Sequence, residues 1–188
     1  MAARAGVEHL WAPWRMTYIA KADQVQGCLF CRTGRRREDR SDLVVVRRPH
    51  AFLMLNRFPY NPAHVMVSVR RHAAQFEQLT ADERADLLDL VALAERALAA
   101  EYRPHGVNYG ANVGRVAGAG FPGHLHIHLV PRWNGDTNFM PVVGETKVLP
   151  ESLERTWSRL RKAVRSLEDQ DSVKSQRPAR RRTRRGTR

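Results

Sequence analysis

Three histidines, His124, His126 and His128, alternate with Leu125, Ile127 and Leu129 in the stretch Gly123–Trp133. The ordinary pKa of histidine, about 6.5, lies nearer neutrality than that of any other side chain. A row of imidazoles can therefore attack an electrophile, move protons, hold phosphate oxygens or bind a metal. The alternation has a period of two, the pattern of a half-buried strand with the histidines on one face and the aliphatic residues on the other. On a helix, residues two apart point away from each other and the row would be lost. The plain alternative is a polar strand face with incidental histidines. Three within five residues, next to a glycine-rich loop, argue against it.

That loop holds Gly110, Gly114, Gly118, Gly120 and Gly123, five of the chain's twelve glycines. Glycine lets a backbone turn with positive φ and approach a ligand closely, and backbone amides in such a loop can cradle phosphate oxygens. The spacing matches neither the Walker nor the dinucleotide-fold pattern. A second cluster is Cys28-Leu29-Phe30-Cys31. Two thiols at this spacing read as half of a zinc site or as a redox pair. The pair does not open a helix after a strand, which argues against a thioredoxin-like use.

The elements that must carry these groups can be read in order. Leu43–Val46, Ala51–Leu55 and Ala63–Val69 are β-rich runs in close succession, which predicts an antiparallel meander. The intervening Asn56–Pro62 contains two prolines and is a loop. Residues 80–101 form the best helix. Thr80 and Glu83 make a capping box, Leu87, Leu88, Val91, Ala94 and Leu98 give an apolar face, and Pro104 follows the end. Val107–Val113 is a fourth strand and the histidine row a fifth. A last helix opens at Pro150, with a stripe of Leu153, Trp157, Leu160, Val164 and Leu167. The arginine-rich stretch 32–42 reads as an exposed loop. The fold class is α+β, with about five antiparallel strands and helices packed on one side.

A chain of 188 residues with 43% hydrophobic content suits one domain with extensions. No apolar run is long enough for a membrane span, and residues 1–26 lack the apolar core of a signal peptide, so a cytoplasmic protein is expected. The net charge of +13 is mainly a tail property, since eight of those charges lie after Asp171, where no acidic residue occurs. Three segments follow: an aromatic extension over 1–26, a domain over 27–168 and a basic, disordered tail over 169–188. The tail could grip nucleic acid or merely solubilise the chain. The extension, with Trp11, Trp14 and Tyr18, packs either on the core or at a subunit interface.

The string from His124 through Pro131-Arg132-Trp133 to Asn138-Phe139 resembles the histidine triad superfamily of nucleotide hydrolases and transferases. It looks most like the branch of diadenosine tetraphosphate hydrolases and phosphorylases, near the fragile-histidine-triad proteins. The resemblance covers roughly residues 10 to 165. It implies the histidine triad fold, a homodimer or higher homo-oligomer, and cleavage of dinucleoside polyphosphates through a nucleotidyl-histidine resolved by water or inorganic phosphate. A nucleoside phosphoramidase of the same superfamily, or a nucleotide- or nucleic-acid-binding regulator using the tail, is the alternative.

The resemblance also implies residue roles. His126, the middle histidine, is the nucleophile. His128 and His64 contact phosphate, Asn56 lies near the ribose, and Asn112 is a polar amide near the scissile phosphates. Gly120 stands where relatives often carry Gln or Ser, which leaves only backbone contact there. Zinc-bearing members and the related galactose-1-phosphate uridylyltransferases join a Cys-x-x-Cys pair to two histidines. The matching set here is Cys28, Cys31, His72 and His124, a closed Cys2His2 site for structural zinc.

Overall fold

A computed structural model of the chain describes residues 27–136 and 150–175. The aromatic extension, the end of the string through Asn138-Phe139 and the final basic segment lie outside the described residues. Five strands form one sheet: β1 (Val44–Arg47), β2 (Ala51–Leu55), β3 (Val65–Val69), β4 (Gly106–Gly110) and β5 (His126–Arg132). Their order is β1-β2-β3-β5-β4 and every neighbouring pair is antiparallel. The meander of the first three strands is as expected. The histidine strand then enters between β3 and β4.

Among the described residues, three α-helices flank the sheet: α1 (Leu29–Arg35), α2 (Ala81–Tyr102) and α3 (Leu153–Ser175). The valine-rich strands put one row of side chains on each face. Leu53, Leu55, Val65, Val67, Ile127 and Leu129 pack with Leu87, Leu90, Leu98, Leu160 and Val164 of α2 and α3. Phe52, Met54 and Met66, on the opposite face, pack with Phe30 of α1. The two long helices thus lie on one side, as expected, and α1 covers part of the other. This explains why β2 and β3 are buried at every position.

Several local expectations change. Stretch 32–42 begins as helix, with Thr33 and Gly34 buried. A seven-residue helix carrying glycine gives too little periodicity to read. Of the apolar face assigned to α2, Leu88 is exposed, while Leu90, Leu93 and Ala97 are buried. The helix touches both sheet and α3, so its buried arc is wider than one stripe. The stripe on α3 packs on the core as drawn, but the helix continues to Ser175, past the expected onset of disorder at Asp169. Its indole at Trp157 donates to the Val44 carbonyl at 2.8 Å, where a bulge interrupts the β1–β2 register. Arg161 reaches the same carbonyl only at 3.5 Å.

The start of α2 joins the helix to the end of β3. Thr80 and Glu83 exchange the two hydrogen bonds of a capping box. The buried Glu83 carboxylate also takes two 2.7 Å bonds from Arg71. Arg71, aided by the Thr80 backbone and opposed by burial, pulls Glu83 from 4.5 down to about 2. A depressed folded-state pKa contributes stability that is present above the unfolded value of 4.5 and lost as pH falls toward 2. Glu83→Gln is therefore expected to destabilise the protein at neutral pH, and its deficit against wild type should shrink on acidification through this window. Urea unfolding across a pH series checks this; a deficit that does not change with pH would contradict it.

Candidate active site

The β3–β5 register sets His126 opposite Ser68 and His128 opposite Met66. Leu125, Ile127 and Leu129 meanwhile enter the helix-covered core. The alternation thus sorts imidazoles and aliphatics as expected. His124 precedes the strand, and its amide is held by the Phe121 carbonyl at 3.2 Å. Leu125 NH donates to the Ala73 carbonyl and Ser68 Oγ to the Leu125 carbonyl, which ties the strand's entry to β3 and the residues after it.

His126 is 5% exposed. Its Nδ1 lies 2.8 Å from the His124 carbonyl. A carbonyl only accepts, so Nδ1 carries the proton and Nε2 holds the lone pair. Burial keeps the ring below its ordinary 6.5, against the opposing effect of that hydrogen bond, and so favours the neutral form. The ring stacks on Phe30 at 4.5 Å, with 25° between planes, and meets His128 edge-on at 5.0 Å. A neutral imidazole with a fixed tautomer has the protonation state a nucleophile needs.

A second chain of bonds orients His128. Tyr60 NH donates to His64 Nδ1 at 3.1 Å, so the neutral His64 carries its proton on Nε2. That nitrogen lies 2.9 Å from His128 Nδ1, which therefore accepts and leaves the His128 proton on Nε2. His64 is buried, and Tyr60 stacks on it at 4.8 Å. Asn56 joins this group, its amide nitrogen 3.4 Å from His64 Nδ1 and its oxygen accepting from Phe58 NH at 2.9 Å. Asn112 is less closely tied. It follows the Gly110–His128 register pair by two residues, and its amide faces the Gly118 carbonyl at 3.4 Å.

The four sulfur and nitrogen ligands expected from the sequence converge. Their donor atoms all lie within 4.8 Å of one another. Cys28 Sγ is 3.2 Å from His124 Nδ1, Cys31 Sγ is 3.5 Å from the same nitrogen, and Cys31 Sγ is 3.2 Å from His72 Nδ1. A tetrahedral zinc would separate such donors by about 3.3–3.8 Å, so the set fits with small movements. His124 Nε2 lies 2.8 Å from the Val69 carbonyl, which places its proton there and turns the Nδ1 lone pair to the thiols. Burial raises the Cys28 thiol, but its contacts with His124 and the Cys31 backbone outweigh it and bring Cys28 down to about 6. Burial and the neighbouring Cys28 push Cys31 up. Contrary to expectation, the pair does open a helix, since Cys28 is the N-cap of α1. The two histidines against the thiols still favour a metal centre over a redox pair.

Other residues at the site carried no clear sequence signal. Phe30 is hidden between the cysteines. Asn61, 3% exposed, donates to the Pro131 carbonyl at 2.8 Å and to Asp136 at 2.7 Å, and so fastens the exit of β5. Arg132 holds the Asp136 carboxyl well below the usual range. It also donates to Asn108 at 2.9 Å, so this arginine braces the turn after β5.

A profile of the HIT domain matches residues 37–135. The chain belongs to the HIT domain family. It is 38% identical over 160 residues to an AP-4-A phosphorylase of Mycobacterium tuberculosis, covering 81% of this chain and 82% of that protein. It is 30% identical over 134 residues to the Arabidopsis thaliana bifunctional bis(5'-adenosyl)-triphosphatase/adenylylsulfatase FHIT, covering 69% and 74%. The fold matches the crystal structure of a zinc-bound histidine triad family protein from Mycobacterium smegmatis, with TM-score 0.61, 21% identity and coverage of 77% and 97%. With relatives at this level across most of both chains, the protein is an enzyme of the HIT family. No helix among the described residues is long and apolar enough to cross a membrane.

The tautomer follows from one carbonyl and can be read directly. Long-range proton–nitrogen correlation spectra of the histidine-labelled protein near pH 7 are expected to show His126 protonated on Nδ1. Protonation on Nε2 would contradict the geometry.

Proposed function

We propose that this HIT enzyme cleaves dinucleoside polyphosphates, with diadenosine tetraphosphate foremost, by passing a nucleotidyl group through His126 to inorganic phosphate. The observation that carries the reading is the bond between His126 Nδ1 and the His124 carbonyl, which leaves the lone pair on Nε2, the nitrogen that attacks in this reading. Nε2 bonds to the phosphorus of the adenylyl group as the P–O bond to the departing ATP breaks. Inorganic phosphate then displaces the histidine and leaves as ADP. The 38% identity to a protein named AP-4-A phosphorylase supports phosphate over water as the acceptor.

The remaining roles follow the chemistry of the transition state. His128 donates from Nε2 toward a phosphoryl oxygen as negative charge develops, held in place by the Nε2–H of His64; such a donor is typically worth a few kcal/mol. Asn56 serves the ribose and Asn112 the phosphates. Zinc held by Cys28, Cys31, His72 and His124 would have no open coordination position. It would brace the entry to β5 without activating water. We also read the protein as a cytoplasmic homo-oligomer.

Product analysis tests this. Diadenosine tetraphosphate is incubated with the protein, with and without inorganic phosphate, and the nucleotides are resolved. ADP plus ATP only when phosphate is present is the expected result. ATP plus AMP without phosphate would replace phosphorolysis by hydrolysis, and no turnover in either case would overturn the substrate assignment.

A further inference from the structure

Phe30 is 1% exposed and sits between Cys28 and Cys31 on α1. Its ring lies under His126 at 4.5 Å, tilted against His124 at 5.2 Å and edge-on to Phe121 at 5.8 Å. His126 is thus gripped from two directions by the same group of residues. The His124 carbonyl takes its Nδ1 proton, while the His124 side chain faces the thiols. Phe30 covers one ring face, and in sequence it adjoins Cys31 and lies two residues after Cys28. A single hydrogen bond at Nδ1 leaves an imidazole free to swing about that bond. A ring stacked on its face removes the swing.

The helix that carries Phe30 has seven residues and no side-chain cap at Cys28. A helix this short does not hold itself in water. Its place depends on tertiary contacts: at its far end the Thr33 and Gly34 carbonyls take bonds from Arg47 and Arg70, and at its start it has Phe30 in the apolar cluster and whatever binds the two cysteines. We propose that Phe30 is a positioning residue for His126, through which metal binding at Cys28, Cys31, His72 and His124 sets the alignment of the nucleophile. The proposal rests on the reading of His126 as nucleophile. Its structural half can be tested without substrate. Phe30 is buried and stacked on the imidazole, so its loss is expected to act on the attack and not on binding. Misplacement of an attacking atom by about 1 Å can cost of order a hundredfold in rate. The partial freedom left by losing one stacked ring is expected to cost about tenfold.

The experiment compares four preparations of the full chain: zinc-loaded wild type, wild type stripped by a chelator, zinc-loaded Phe30→Leu and zinc-loaded Met54→Ala. Met54 lies in the same apolar cluster as Phe30 and serves as the packing control. Zinc content, the His126 Nδ1–H signal with its solvent exchange, and kcat and KM are measured for each.

Phe30→Leu is expected to keep one zinc per chain and a KM within about twofold of wild type. Its kcat should fall about tenfold, and its Nδ1–H exchange should rise. Stripped wild type should show the same spectral change, and Met54→Ala should not. The proposal is overturned if Phe30→Leu keeps the wild-type signal, if stripping leaves it unchanged, or if Met54→Ala reproduces the loss. A spectral change in a protein that turns over no dinucleotide would sink the substrate reading and leave the coupling standing. Confirmed turnover with an unaltered His126 signal would do the reverse.

Discussion

One residue, His124, is used twice, and the site depends on both uses. Its backbone carbonyl takes the Nδ1 proton of His126. Its side chain is held between the Val69 carbonyl, at the end of β3, and the thiols at the start of α1. A carbonyl can orient a nucleophile only if the carbonyl itself is fixed. Here the fixing comes from bonds at both nitrogens of the same residue's ring. The Cys2His2 group and the histidine strand are therefore one rigid unit joined at His124.

The sheet supplies the rest of the rigidity. β5 lies between β3 and β4, so the histidine strand is hydrogen-bonded along both edges. Its aliphatic face is locked by α2 and α3, and its histidine face meets Phe30 and the cluster under α1. Strand β3 is the common reference. It supplies Ser68 opposite His126, and its end leads into Arg71, which clamps the start of α2, and His72, which faces Cys31. In the turn before β3 the Tyr60 backbone NH holds the His64 ring, which aligns His128 by a ring-to-ring bond. Rigid elements hold a reacting geometry more tightly than loops do.

Much of this was legible in the sequence because it is periodic or local. The period of two in His124–Leu129 predicts which residues face the core. The Thr80–Glu83 box predicts the start of α2 within one residue, since capping is a contact between near neighbours. Features set by tertiary contact were not legible. Helix α1 is too short to show a period, so the cysteine pair did not read as a helix start. Leu88 and Leu90 exchange places because α2 packs against two partners at once. Phe30 and Asn61 have ordinary residue types, and their importance comes only from what the fold sets beside them. The ligand set came from the family resemblance. The geometry adds that all four donors converge and that one of them orients the residue read as nucleophile.

If His126 is the nucleophile, its Nε2 becomes covalently bonded to the nucleotide. Rapid acid-free quenching of the enzyme with diadenosine tetraphosphate labelled in the adenylyl group, in the absence of phosphate, followed by peptide mapping, tests this most directly. The account predicts one labelled peptide, with the adenylyl group on His126 and absent from a His126→Gly variant. Turnover with no labelled protein, or label on another residue, would contradict it.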